Sequence, residues 1–84
     1  MAEANLSDEL ARECRDLEKA EKDLVEGRQR VEDQQRLIDR LALQGHDTAE
    51  AQLLLHNFQH MLDAWHDHRE LIVQRIALLE SAHL

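Results

Sequence analysis

Six histidines, His46, His56, His60, His66, His68 and His83, are the side chains of this 84-residue chain best suited to chemistry near neutral pH. His56, His60 and Asp63 fall at i, i+4 and i+7, so a helix presents two imidazoles and a carboxylate on one face. Two histidines at that spacing can grip a divalent metal, which makes these three the candidate metal ligands. In the heptad described below they occupy f and c positions, directed away from any helix–helix seam, and the competing reading is an exposed polar face. A metal there would need a further ligand, with outer hydrogen bonds to orient it. His66 and His68 flank Asp67 but lie on different faces. His68 falls at a d position, opposite Leu24 in the expected seam. Protonating a buried imidazole opposes packing, so assembly is expected to weaken as pH falls through about 6.

Other chemistries find less support. A helical bundle can carry phosphotransfer histidines, and His66–Asp67 or His68-Arg69-Glu70-Leu71 offers an exposed imidazole beside an acid. Against this, the first helix, where a kinase-type phosphoacceptor sits, has no histidine, and the chain has no proline. Ser7, Thr48 and Ser81 sit at caps or ends without a base to activate them, and there is no glycine-rich phosphate loop. The carboxylates of a charged helix face are solvated rather than perturbed. Cys14 is alone, which excludes an internal disulfide and a multi-cysteine zinc site. Acidic Glu13 and Asp16 beside it disfavour a reactive thiolate, so it reads as a small, half-buried hydrophobe. The expectation is a protein that is not an enzyme and carries no cofactor.

Composition narrows the partners. A net charge of -8 repels phosphates, so nucleic acid is excluded as a target. The longest unbroken apolar run, Leu53-Leu54-Leu55, is far too short for a bilayer span. The first residues, Met1-Ala2-Glu3-Ala4-Asn5, lack the basic-then-apolar pattern of a signal peptide, and a cytoplasmic location is expected. With no proline, two glycines and 2% aromatics, strands and turns lack their usual residues, whereas helix formers abound.

Periodicity then sets the elements. Leu10, Leu17, Leu24, Val31 and Ile38 recur every seven residues as heptad a positions. The d positions Leu6, Glu13, Ala20, Gly27, Gln34 and Leu41 are apolar at the ends and mixed between. Ser7 is the expected N-cap, and Glu18–Lys22, Glu26–Arg30 and Glu32–Arg36 are expected i,i+4 pairs. Punctuation comes once. Gly45 suits the left-handed end of a helix, and Asp47 with Glu50 forms a capping box that starts the next. The fold expected is all-α: one domain over 1–84, an antiparallel hairpin of helices 8–44 and 48–82, with residues 1–6 frayed. A tight turn sets Leu41 by Ala51, Ile38 by Leu54, Gln34 by Phe58, Ala20 by Ile72 and Gly27 by Trp65. Gly27 costs about 1 kcal/mol against Ala in a helix, and room for the indole is the physical reason to tolerate it.

The second helix repeats the rhythm at Ala51, Phe58, Trp65, Ile72 and Leu79 but carries a wider apolar stripe. Leu54, Leu55, Met61, Leu62 and Ile76 widen it on one flank, and Ala64, Leu71 and Leu78 on the other. A lone hairpin would leave one flank as an exposed apolar patch, which monomers avoid. A homodimeric four-helix bundle would cover it. The interface residues expected are Leu54, Leu55, Phe58, Leu62, Trp65, Leu71, Ile76 and Leu78. Leucines also crowd the turn end (Leu37, Leu41, Leu43, Leu53, Leu54 and Leu55), which is the expected contact surface for a further, unidentified protein.

Gly45-His46-Asp47-Thr48-Ala49-Glu50-Ala51, followed by Leu54-Leu55 and Phe58, resembles a recurring pattern in small uncharacterised proteins of alphaproteobacteria. The resemblance spans roughly residues 34–71. It implies a bacterial, cytoplasmic helical hairpin and no particular activity. The functional expectation is a non-catalytic helical interaction or structural module acting as a homo-oligomer. The alternative is a metal-binding or phosphotransfer-related bundle using the histidines of the second helix.

Overall fold

In the computed structural model, which describes residues 2–83, the chain forms two helices, α1 (Ala2–Leu43) and α2 (Ala49–His83). They fold back on each other into a rod of 65 × 14 × 14 Å. The all-α hairpin expected from periodicity is the fold observed.

Helix α1 starts earlier than expected. It runs through Ser7, which lies exposed inside the helix rather than capping it. Ala2, Glu3 and Ala4 upstream favour helix, and a serine cap is worth only about 1 kcal/mol. The segment expected to be frayed, 1–6, is thus helical from Ala2; Met1 lies outside the described residues.

The turn is built from backbone bonds. The His46 amide donates to the Leu41 carbonyl at 2.9 Å and the Gly45 amide to the Ala42 carbonyl at 3.1 Å. This 6→1 and 5→2 pair is a Schellman motif, and it needs a left-handed residue between. Gly45 supplies it at φ 74°. Asp47 Oδ1 then accepts from the Ala49 amide at 2.9 Å, capping α2. The reciprocal bond from Glu50 is not formed among the described residues, so the expected capping box is half made.

Heptad positions a and d of α1 line the seam as the spacing implies. Ala20, Leu24, Gly27, Gln34 and Ile38 are buried, and Leu10, Leu17, Val31 and Leu41 are half-buried. On α2 the seam differs from the reading above. It alternates by four and three through Ala51, Leu55, Phe58, Leu62, Trp65, Arg69, Ile72, Ile76 and Leu79, all buried or half-buried. The stepped-by-three alternative would have buried His68 and Arg75; the observed one buries Leu62 and Ile76 and admits only Arg69. Leu54 is therefore exposed rather than facing Ile38. Ile72 is fully buried.

Three polar contacts cross the seam. Gln34 Nε2 donates to the Ala51 carbonyl at 2.9 Å, although Gln34 is buried. A carbonyl already in a helix keeps a second lone pair, so this bond satisfies the amide and fixes the register near the turn. Further along, Arg69 reaches Glu21 at 3.3 Å, and Arg75 lies 3.8 Å from Glu13. On the outside, Glu32–Arg36 forms at 3.8 Å and Lys19–Asp23 at 3.0 Å. The expected Glu18–Lys22 and Glu26–Arg30 pairs are not formed among the described residues. Such exposed pairs contribute only a few tenths of a kcal/mol, too little to hold long side chains in one geometry.

Candidate interaction surface

The rod cannot hide its apolar surface. Its accessible area is 6478 Å² at a mass of 9.8 kDa, whereas a compact monomer of that mass exposes about 5200 Å². Among the described residues, four of the seven large exposed apolar side chains lie along one strip. Once Leu55, Leu62 and Ile76 enter the seam, Leu54, Met61, Ala64, Leu71 and Leu78 remain exposed, with Leu71 at 50% and Leu78 at 71%.

These five residues lie at spacings of seven, three, seven and seven, which places them on adjacent rows of one helix face. The first flank inferred from sequence is therefore divided: Leu55, Leu62 and Ile76 join the seam, while Leu54 and Met61 join Ala64, Leu71 and Leu78 of the second flank in one separate stripe. Of the eight interface residues expected, Leu55, Phe58, Leu62, Trp65 and Ile76 are half-buried against α1 within the chain. Leu54, Leu71 and Leu78 are on the stripe.

Helix α1 borders the stripe with charge. Grooves between the helices bring Arg30 beside Met61, Asp16 and Asp23 beside His68, and Glu9 beside Arg75 and Leu78. The opposite face of the hairpin differs: Glu21, Val25 and Arg28 of α1 flank His66 and Arg69 there. Val25, 63% exposed, is a large apolar residue on that side of α1.

His56, His60 and Asp63 are exposed on the part of α2 turned away from α1. Among the described residues, no three His, Cys, Asp or Glu side chains are grouped so as to hold a metal. Nothing on α1 can reach that face to complete a set. His68 does not occupy the seam: it is exposed, and Arg69 takes the inward position with its guanidinium on Glu21. The packing penalty expected on protonating a buried His68 has no burial to rest on. Cys14 is exposed rather than half-buried, because neighbouring Glu13 holds the seam position.

No family model, curated protein or solved structure matches this chain. Neither helix, over the described residues, is long and apolar enough to cross a membrane. The turn end presents Leu43 at 89% exposure together with Leu53 and Leu54, while Leu37, Leu41 and Leu55 are half-buried behind them.

What sequence reasoning missed was the separateness of the stripe. The signal was available: Ile76 is apolar where Arg75 is not, so the seam had to step by four there. That step leaves Leu71 and Leu78 unable to reach α1.

Proposed function

We propose that this protein is a non-catalytic helical interaction module that works as a homodimer, two hairpins forming a four-helix bundle. The observation that carries this reading is the exposed stripe Leu54, Met61, Ala64, Leu71 and Leu78. Burying a leucine side chain is worth roughly 1.5–3 kcal/mol when it is fully exposed beforehand. Two leucines half or more exposed on each of two copies therefore offer on the order of 4 kcal/mol, about a thousandfold in affinity. The turn end, with Leu43 and Leu53, is not part of the stripe and is left for a second, different protein.

The test is the concentration dependence of thermal unfolding. A dimer melts at higher temperature as protein concentration rises, because association is linked to folding. Leu71→Asp with Leu78→Asp should abolish that dependence. Leu43→Asp, more exposed still but off the stripe, should leave it intact. A wild-type melting temperature independent of concentration would remove the proposal.

A further inference from the structure

Two residue patterns, one on each helix, mirror themselves about the same level of the rod. Reversing the α2 stripe about the level of His66 sets Leu54 on Leu78, Met61 on Leu71 and Ala64 on His68. Every large apolar residue then meets another. The adjoining face of α1 reverses about the level of Asp23, which sets Asp16 on Arg30 and brings Lys19 to position 27, one residue from Glu26. These two levels coincide in the folded chain. Gly27 abuts both Leu62 and Trp65, Glu21 pairs with Arg69, Glu13 pairs with Arg75 and Asp23 shares a groove with His68, which places residue 23 beside residues 66–68.

From this coincidence we infer that the second copy docks antiparallel on this face, about a two-fold axis crossing the rod at Asp23 and His66. The inference rests on the self-association proposed above and adds its orientation and register. In this arrangement α2 lies on the partner's α2, and α1 on the partner's α1. Leu54 covers the partner's Leu78, and Met61 the partner's Leu71. Asp16 faces the partner's Arg30, and Lys19 lies one residue from the partner's Glu26.

The other two-fold arrangements are worse. Side-by-side parallel α2 helices put each residue opposite its twin, so Arg75 meets the partner's Arg75 and His68 the partner's His68. Like charges placed directly opposite disfavour an interface. Laying α2 across the partner's α1 sets Met61 against Arg30 and Leu71 against Asp16 and Lys19, which strips water from charged groups without pairing them. In the antiparallel arrangement only Asp23 faces its twin. Its charge is already met within its own helix by Lys19 at 3.0 Å.

The area is adequate. One face of a rod 65 Å by 14 Å spans on the order of 900 Å², against about 800 Å² per partner in a standard interface. An isologous two-fold contact of this kind also closes, so it stops at two copies.

The test is a distance between spin labels across the dimer. In a Cys14→Ser background, Ser81→Cys places one nitroxide at the exposed far end of α2, three residues past Leu78. The antiparallel arrangement separates the two labels by thirty residues of helix, about 45 Å at 1.5 Å per residue. Both alternatives put the labels at the same end of the bundle, within about 25 Å given an interaxial distance of 8–10 Å and the label arms. A distribution centred near the long value supports the inference. A short one overturns the orientation while leaving the homodimer in place, and no intermolecular distance overturns both. The register has its own check by charge exchange. Asp16→Arg should weaken the dimer about tenfold, since two attractions become two repulsions. Adding Arg30→Asp should restore it; failure to restore overturns the register.

Discussion

A single methyl group at Gly27 sets two effects of opposite sign against each other. Inside a helix, Ala is favoured over Gly by about 1 kcal/mol. A Cβ on Gly27 would, however, lie 3.0 Å from Leu62 Cδ1 and 3.0 and 3.3 Å from Trp65 Cζ3 and Cε3. Carbon atoms in good contact sit about 3.5–4.0 Å apart. The Leu62 methyl can rotate aside, but the indole must move as a rigid plate. Overpacking of this sort costs about 1–3 kcal/mol, so Gly27→Ala should destabilise the hairpin by about 1 kcal/mol net. Replacing the ring frees the space. In a Trp65→Leu background the same Gly27→Ala change should stabilise by about 1 kcal/mol, giving a coupling near 2 kcal/mol across the cycle. Urea unfolding followed by far-ultraviolet circular dichroism measures all four proteins. Protein concentration is held fixed, because association would otherwise shift the midpoints. Should Gly27→Ala stabilise both backgrounds equally, the helices do not approach closely at this point and the register is wrong.

Three further substitutions probe separate parts of the fold, each read as a shift in unfolding free energy at matched concentration. Gln34→Ala removes the bond to the Ala51 carbonyl and should cost about 1 kcal/mol. Gly45→Ala forces an L side chain into φ 74° and should cost about 1–2 kcal/mol; an unchanged midpoint would mean the turn relaxes into another geometry. Glu13→Leu should stabilise by about 1 kcal/mol or more. One Glu13 carboxylate oxygen, Oε2, is buried without a hydrogen-bond partner, and relieving that burial outweighs losing a weak contact with Arg75.

Much of this architecture could be read from the chain. Gly45 and Asp47 carry local geometry in their own side chains or lack of one, so the single turn was legible. The heptad of α1 was equally plain, because charged residues surround its apolar positions and leave one choice of seam. Gly27 beside Trp65 followed from the turn and the pairing of residues about it. Helix α2 was harder. Leu54-Leu55 and Met61-Leu62 are adjacent apolar pairs, so either member could face α1, and periodicity alone ties. His68-Arg69 and Arg75-Ile76 break the tie, but only when the fit to a partner helix is weighed over the whole length. The early start of α1 was missed because a good capping residue, Ser7, does not stop a helix whose upstream residues also favour one. The exposure of His68 and Cys14 followed from the same one-residue choices of face.

The claim on which the account turns is that the exposed stripe of α2 is covered by a second copy of the chain. Sedimentation equilibrium measures this directly. The mass of the wild-type chain should rise with concentration from the single-chain 9.8 kDa toward twice that value, and Leu71→Asp with Leu78→Asp should hold it at the single-chain value while helix content is retained. A wild-type chain that remains at the single-chain mass up to about 1 mM, where an association worth about 4 kcal/mol would already be half complete, would contradict it.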